Sequence, residues 1–187
     1  MKTLKQLYKC NYEIEVNGIK TNSKKVQHGD LFVCIKGLTN DGHNFIQEAI
    51  SNGAVAIVSE KDINCSVPVI KVKNTKTELR SLLNRFYGNP NDRFKFIGVT
   101  GTSGKTTTSI IIYEILKNIK NSAYIGSAGV LSNKFNLNEV VNTTPDICEL
   151  YNWLENLSDN EYIAIETSSV GLKQNRMGTI KFDIGIY

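Results

Sequence analysis

Short apolar runs alternate along the chain with longer segments whose apolar residues recur every three or four positions. In the first half, AVAIVS (54–59), VPVIKV (67–72) and DLFVCIKG (30–37) have the length and composition of strands. NFIQEAISNGA (44–54) and residues 75–87 instead place their apolar side chains on one helical face. From about Ile19 onward, the first half is therefore predicted to be a small α/β unit.

The second half alternates more regularly between predicted strands and helices. An isoleucine-rich helix follows a glycine loop, and PDICELYNWLENL (145–157) predicts another helix with Pro145 in its first turn. Residues 126–144 form a long polar stretch, and NKFNLNE (133–139) within it predicts a turn or a short hairpin. This order predicts a mainly parallel sheet with right-handed crossovers. Its predicted strands are FKFIGVT (94–100), SAYIGS (122–127), EYIAIET (161–167) and KFDIGIY (181–187).

The segment YGNPNDRF (87–94) separates the two halves. Gly88 suits the position after a helix, and Pro90 prevents the helix from resuming. The sequence therefore predicts a domain over residues 1–88 and a second over residues 94–187.

Composition narrows the classes of partner. The net charge is +4, and the lysines are scattered along the chain, which argues against a nucleic-acid surface. No apolar window approaches the roughly 18 residues of a membrane span, and no secretory leader is evident, so we expect a cytoplasmic protein without membrane insertion. None of the four cysteines forms a CxxC pair; we expect them to be reduced, with Cys34 a small buried apolar residue.

The loop GVTGTSGKTTT (98–108) carries the clearest chemistry. Gly104, Lys105 and Thr106 fit the end of a Walker phosphate loop, but Val99 occupies the position of its leading glycine. Glycines let backbone N–H groups approach phosphate oxygens, and the following helix offers its positive end. Lys105 would reach the β- and γ-phosphates, and the Thr106 hydroxyl would bind Mg²⁺. A glycine turn with a purely structural role is the alternative.

This loop resembles the ATP loop of the Mur ligases, Gly-Thr-Asn-Gly-Lys-Thr-Thr, with Ser103 replacing the asparagine. Three more segments resemble the same family: TNSKKVQHGDLFVCIKG (21–37), NTTPD (142–146) and ETSSVGLKQNRMGTIKFDIGIY (166–187). Together they resemble the Mur ligases that add the third residue of the peptidoglycan stem peptide. The resemblance implies an N-terminal α/β domain that binds the uridine end of the substrate, followed by part of a P-loop-type central ATPase domain.

The resemblance also implies the reaction. ATP would phosphorylate a carboxylate of UDP-MurNAc-L-Ala-D-Glu, and the amine of an amino acid would then displace phosphate from the acyl phosphate. The protein's task would be positioning and charge neutralisation. ATP and Mg²⁺ are the implied cofactors, the UDP-MurNAc-dipeptide and an amino acid are the implied substrates, and a monomer is expected.

Site residues follow from the resemblance position by position. The implied catalytic residues are Lys105 and Glu166, and the implied metal ligands are Thr106 and Glu166. Residues matching the ATP loop are Gly101, Thr102, Ser103, Gly104, Lys105, Thr106 and Thr107. Residues matching substrate contacts are Ser23, Leu38, Thr39, Asn40, Asn142, Thr143, Thr144, Ser168, Gln174 and Arg176.

Several of these residues have plainer interpretations. Glu166 can be an exposed carboxylate at a strand end, and Arg176 a surface arginine. Asn142 to Thr144 can form a turn and cap before the Pro145 helix. Asn22 and Ser23 can form a capped turn. The two histidines, His28 and His43, are expected at the surface, although His43 can also lie near the uridine site.

Two departures from the family pattern affect the expected activity. Val170 occupies the position of the usual histidine in Ser-Ser-His-Gly and can neither donate nor accept a hydrogen bond. Tyr187 precedes the family's carbamylated lysine and its C-terminal, amino-acid-selecting domain. We therefore expect a fragment or truncated product that is inactive alone. The alternatives are a non-catalytic nucleotide or UDP-sugar binding module, and another Mur-type amide ligase such as cyanophycin synthetase.

Overall fold

The computed structural model describes residues 2–37, 40–138 and 144–187. Within it the chain forms two compact units, Met1–Gly88 and Asn89–Tyr187.

The first unit contains a four-stranded parallel sheet of order β3-β4-β5-β6. A short antiparallel pair, β1 with β2, lies at its N-terminus. Two 3-10 turns, Ser23–Lys25 and Gly42–Phe45, follow β3 and precede α2. Its elements are β1 (Lys2–Thr3), α1 (Leu4–Tyr8), β2 (Glu15–Val16), β3 (Gly18–Lys20), β4 (Asp30–Val33), α2 (Ile46–Ser51), β5 (Ala56–Ser59), β6 (Val69–Lys71) and α3 (Thr75–Tyr87).

The burial of the two central strands of this unit accounts for the apolar runs in its sequence. Every residue of β4 and β5 is buried, as expected of strands covered on both faces. Phe32 and Ile57 pack with Ala49 of α2 in one core cluster. The predicted helix 75–87 is confirmed: Asn74 caps it by accepting from the Thr77 N–H over 2.8 Å, and Gly88 ends it at φ +89°.

The second unit contains a five-stranded sheet of order β11-β7-β10-β8-β9. Four strands are parallel, and the edge strand β9 runs antiparallel to β8. The predicted mainly parallel sheet is therefore confirmed. Its elements are β7 (Lys95–Val99), α4 (Lys105–Leu116), β8 (Ser122–Gly126), β9 (Gly129–Leu131), α5 (Ile147–Asn156), β10 (Tyr162–Glu166), α6 (Ser169–Lys173) and β11 (Ile184–Ile186).

Helices cover both faces of the second sheet. On one face, Ile163 and Ile165 of β10 pack against Leu150 of α5. On the other face, Tyr124 of β8 packs with Tyr113 of α4. The outer side of α4 is exposed, because Ile111 and Ile115 are both more than half exposed.

The structure corrects the sequence predictions at several points. Pro145 does not lie in the first turn of α5: the helix begins at Ile147, because the Asp146 side chain accepts from the N–H groups of Cys148 and Glu149. The turn or short hairpin predicted at NKFNLNE is supported by the antiparallel bridge of Leu137 to Val130, whereas β9, which pairs with β8, was not predicted. The sequence did not predict β1, α1, β2 or α6, each of five residues or fewer.

All four cysteines are free, and Cys34 is fully buried as predicted. Among the described residues, no helix has the length and apolar character needed to cross a membrane.

Candidate active site

The glycine loop joins the end of β7 to the start of α4. Gly101 has φ +138° and Gly104 has φ +76°, values that L-residues with a side chain rarely adopt. A Cβ added at either glycine would meet no atom closer than 3.7 Å. The glycines are therefore needed for the backbone conformation, and the space beside them is open.

The helix that follows the loop begins without a side-chain cap, because Gly104 occupies the cap position. The N–H groups of its first turn are therefore available to an anion, and the helix dipole favours negative charge there. Lys105 Nζ lies over the loop and donates to the Gly101 carbonyl over 2.9 Å. Thr102, Ser103 and Thr107 are exposed around the same turn. These features are suited to a phosphate group.

Glu166 is the last residue of β10, and its side chain is fully buried. The interpretation of Glu166 as an exposed carboxylate is therefore wrong. Its Oε1 accepts from the Tyr124 hydroxyl and from the Ser127 N–H, the latter over 3.1 Å. Its Oε2 accepts from the hydroxyls of Thr106 and Ser127, each over 3.1 Å. Four neutral donors thus surround a buried carboxylate.

Sheet register brings Glu166 to the glycine loop. Glu166 is paired with Val99, the residue at which β7 ends and the loop begins. Because the carboxyl ends of parallel strands share one edge of the sheet, ligands of open α/β sheets bind there. The position at the edge was predicted from the sequence, and the contact with Thr106 is what the structure adds.

These residues fit a divalent cation of the Mg²⁺ type. Mg²⁺ prefers oxygen ligands, and in phosphate sites it is held by one or two carboxylates together with substrate phosphates and waters. Glu166 offers a carboxylate whose bonded donors carry no positive charge, and Thr106 adds a hydroxyl. Within the described ranges, no group of three or more His, Cys, Asp or Glu side chains could hold a metal alone.

Three residues of this site were missed by the sequence analysis: Tyr124, Gly126 and Ser127. Tyr124 is fully buried on β8, and its hydroxyl accepts from the Ala128 N–H over 3.1 Å while donating to Glu166. Burial, and then the bond to Glu166, raise the pKa of the Tyr124 phenol, which therefore stays protonated at neutral pH. Gly126 provides the space, because a Cβ there would collide with the Glu166 carboxylate and the Tyr124 hydroxyl.

A second cluster in the same unit gathers predicted substrate residues. Thr144 Oγ1 and Ser168 Oγ lie 3.0 Å apart, and the Ser168 N–H donates to Thr144 Oγ1 over 2.9 Å. Arg176 donates from Nη1 to the Thr144 carbonyl over 3.0 Å and from Nε to Gln174 Oε1 over 2.9 Å. Ser168 also caps α6 through the Gly171 N–H. Asn142 and Thr143 lie outside the described residues.

The predicted uridine-site residues belong to the first unit. Ser23 is buried and donates to Glu48 Oε2 over 2.5 Å, while the Asn22 side chain accepts from the Lys24 N–H over 3.1 Å. These contacts support the capped-turn interpretation of Asn22 and Ser23. Asn40 is exposed, and its carbonyl accepts from the Gly37 N–H over 2.8 Å. Leu38 and Thr39 lie outside the described residues.

The two histidines differ in their surroundings. His28 is exposed, as expected, but the side chain of His43 is only 6% exposed, so the expected surface position is wrong for His43. Its Nδ1 lies 2.5 Å from Asp41 Oδ1. Hydrogen bonds from the His43 ring and backbone hold the pKa of Asp41 well below its usual range. Val170, at the family's histidine position, is exposed on α6.

Comparison with known protein families adds to this geometry. Residues 99–187 match the model described as "Mur ligase middle domain", and residues 15–87 match the one described as "Mur ligase family, catalytic domain". Two similar relatives are UDP-N-acetylmuramoyl-L-alanyl-D-glutamate–2,6-diaminopimelate ligases. The one from Clostridium perfringens is 37% identical over 97% of this chain, and the one from Clostridioides difficile is 38% identical over 96%. The chain spans 38% of the length of each relative.

Solved structures show the same architecture. A UDP-N-acetylmuramoyl-L-alanyl-D-glutamate–2,6-diaminopimelate ligase superposes over 100% of this chain and 40% of its own, with a TM-score of 0.72 and 23% identity, a likeness of fold. The MurF ligase from Thermotoga maritima in complex with ADP is 29% identical over 90% of this chain and 34% of its own, with a TM-score of 0.55. By its sequence and its fold, the chain belongs to the Mur ligase family and carries the two regions that those family models describe.

Proposed function

We propose that this chain is part of an ATP-dependent ligase that adds the third amino acid to UDP-MurNAc-L-Ala-D-Glu. The contact between the Thr106 hydroxyl and the buried Glu166 carboxylate, beside an uncapped glycine-loop helix, carries the proposal. This contact would bring a phosphate-binding loop and a metal ligand together in one place. The names of the similar relatives support this reaction, and they support 2,6-diaminopimelate as the incoming amino acid.

ATP would bind at the glycine loop. The open space beside Gly101 and Gly104, together with the free N–H groups of α4, supports a triphosphate there. In place of its bond to the Gly101 carbonyl, Lys105 would donate to a phosphate oxygen and offset its charge. The ADP complex of the Thermotoga maritima relative supports a nucleotide in this family.

Mg²⁺, when bound, would neutralise phosphate charge. Thr106 and Glu166 are the residues of this chain that we assign to it. Glu166 is buried, and the donors that it bonds within the described part of the chain are all neutral. A cation beside it would therefore also offset a carboxylate charge that is costly to bury.

The substrate residues complete the proposal. We assign Thr144, Ser168, Gln174 and Arg176 to the UDP-MurNAc-dipeptide because the structure gathers them into one hydrogen-bonded cluster. The guanidinium of Arg176 is permanently charged and suits a carboxylate or phosphate. Asn142 and Thr143 are assigned to the same substrate from the resemblance, and Ser23, Leu38, Thr39 and Asn40 to its uridine end.

The reaction requires two bond exchanges. A substrate carboxylate oxygen attacks the γ-phosphorus of ATP, so that an O–P bond forms and ADP leaves. The amine of the amino acid then attacks the acyl carbon, a C–N bond forms, phosphate leaves with the former bonding pair, and the amine loses a proton. In these two steps Lys105 would offset the negative charge of the phosphates, and the cluster around Arg176 would hold the substrate in place.

The proposal is tested in two assays. In the first, the 187-residue chain is titrated with an ATP analogue with and without Mg²⁺, and we expect Mg²⁺-dependent binding. Lys105→Ala should weaken this binding at least tenfold, whereas Lys95→Ala, in an exposed ion pair with Asp183, should not. In the second, the longest gene product that contains this sequence is supplied with UDP-MurNAc-dipeptide, ATP, and either diaminopimelate or lysine.

The outcomes separate the alternatives. Release of ADP that depends on both the dipeptide substrate and an amino acid supports the ligase. Binding of nucleotide and UDP-sugar without any turnover supports a non-catalytic module instead. Failure to bind the ATP analogue contradicts both.

A further inference from the structure

The hydroxyl of Tyr124 has two partners that determine the direction of its own hydrogen. The Ala128 N–H can only donate, and it does so to the Tyr124 oxygen over 3.1 Å. The phenolic hydrogen is therefore directed at Oε1 of Glu166, with which Tyr124 makes its other contact. The Tyr124 hydroxyl thus bridges the Ala128 N–H, in the backbone just after β8, and the Glu166 carboxylate at the end of β10.

The two oxygens of Glu166 are consequently held by different kinds of group. Oε1 accepts from Tyr124 and from the Ser127 N–H, and both of these donors have fixed direction. Among the described residues, the hydrogen-bond partners of Oε2 are the hydroxyls of Thr106 and Ser127. A hydroxyl rotates and can use its lone pairs instead, so these two contacts leave Oε2 able to change partner.

The surroundings of Tyr124 make it a rigid support. Its side chain is fully buried and packs with Tyr113 and Ala164. β8 pairs with β10 along four residues, which places the Tyr124 backbone directly beside Ala164. Gly126 leaves the space that the carboxylate and the phenol share.

We propose that Tyr124 is a positioning residue that fixes Oε1 of Glu166 and so presents Oε2, beside Thr106, as the single oxygen that binds Mg²⁺. This inference rests on the proposed function, because it concerns the metal of the same nucleotide site. Tyr124 acts through Glu166 and does not itself touch the ion. Groups that orient a metal ligand commonly change metal affinity by about 10- to 100-fold when they are removed.

Tyr124→Phe removes the hydroxyl and retains the packed ring. Tyr113→Phe is the matched control, since it removes a hydroxyl from the same buried cluster. For each variant of the 187-residue chain, binding of a fluorescent ADP analogue is followed by anisotropy while Mg²⁺ is titrated. The affinity for the ADP analogue measured in EDTA gives the metal-independent part of binding. Thermal unfolding shows whether each variant keeps the fold.

We expect Tyr124→Phe to require about tenfold more Mg²⁺ for half-saturation, with an affinity in EDTA within twofold of the parent chain. Tyr113→Phe should behave as the parent in both measurements. An unchanged Mg²⁺ requirement in Tyr124→Phe overturns the inference, as does an equal loss of affinity with and without Mg²⁺, which indicates a merely structural role. If the parent chain itself shows no Mg²⁺-dependent binding, the proposed function fails instead.

Discussion

The hydroxyl of Thr106 lies 3.1 Å from Oε2 of Glu166, although 60 residues separate them in the chain. Thr106 stands in the first turn of α4, and Glu166 ends the central strand of the sheet. The contact therefore ties the phosphate loop to the strand that carries the buried carboxylate, and changes at either residue should affect nucleotide binding through the metal.

Replacing Glu166 with glutamine should separate metal binding from folding. The amide oxygen can keep the bonds from Tyr124 and the Ser127 N–H, and the amide NH₂ can donate to the two hydroxyls, which can accept. We expect the free energy of unfolding to change by less than about 1 kcal/mol. The Mg²⁺ dependence of ATP-analogue binding, measured by calorimetry, should disappear.

Glu161→Gln provides the control for this change. Glu161 is exposed and forms an ion pair of 3.2 Å with Lys120, so its charge contributes little to the stability of the fold. The Mg²⁺ dependence of ATP-analogue binding by the Glu161→Gln variant should match that of the parent chain. A Glu166→Gln variant that retains the full Mg²⁺ response would contradict the assignment of Glu166 as a ligand.

Replacing Gly104 with alanine should destabilise the loop without crowding it. The residue has φ +76°, which costs an alanine about 1–2 kcal/mol, while the added Cβ meets only Thr108 Oγ1 at 4.0 Å. Denaturant unfolding of the second unit should report this loss. Gly185→Ala is the matched control, because its Cβ meets nothing within 4 Å; its effect should stay within about 0.5 kcal/mol.

The first unit should lose stability in acid through Asp41. Because the hydrogen bonds from His43 lower the pKa of Asp41 in the folded state, its contribution is fully present above the unfolded value of about 4. The contribution is lost as the pH falls below that value. Unfolding free energies measured from pH 6 to pH 2.5 should therefore decline less steeply in Asp41→Asn than in the parent chain.

Asp62→Asn tests whether this effect is specific. The Asp62 side chain is 85% exposed and pairs with Lys71 at the surface, so its removal should leave the pH slope unchanged. Equal slopes in the parent chain and Asp41→Asn would show that the His43 contact does not contribute in solution.

Thiol labelling should distinguish the cysteines. Burial raises the pKa of the Cys34 thiol to about 12, and the thiolate is the reactive form. At pH 8, iodoacetamide should modify the half-buried Cys10 and Cys65 well before Cys34, as followed by mass spectrometry of peptides. In denaturant all four should react at similar rates. Early modification of Cys34 in the folded chain would contradict its burial.

Local sequence patterns correctly predicted the strand, loop and helix that carry this site. An apolar run, a glycine loop and a helical pattern predict β7, the phosphate loop and α4 without tertiary information. The place of Glu166 at the sheet edge also follows, since its strand ends there. Local patterns do not reveal which strands lie side by side. Tyr124 in SAYIGS therefore looks like an ordinary core residue until β8 is paired with β10, which carries Glu166.

Side-chain competition explains the other differences. Pro145 and Asp146 both suit the start of a helix, and Asp146 determines it because its carboxylate accepts from two N–H groups. His43 is polar and its sequence context favours exposure, but its ring is buried with Nδ1 paired to Asp41, a contact that local sequence does not reveal. One signal was available: Ser127 directly follows a buried strand, and such positions face ligands in parallel sheets.

The position of β10 between β7 and β8 makes the proposed nucleotide and metal site depend on the pairing of the central strand. Both neighbours precede β10 in sequence, and the register that aligns Glu166 with Val99 brings the carboxylate to the Thr106 hydroxyl. A slip of one residue would turn the carboxylate to the opposite face. If the proposed metal site is correct, it is incomplete in any state in which β10 is unpaired, and a bound Mg²⁺–nucleotide complex would stabilise the sheet with β10 in this register.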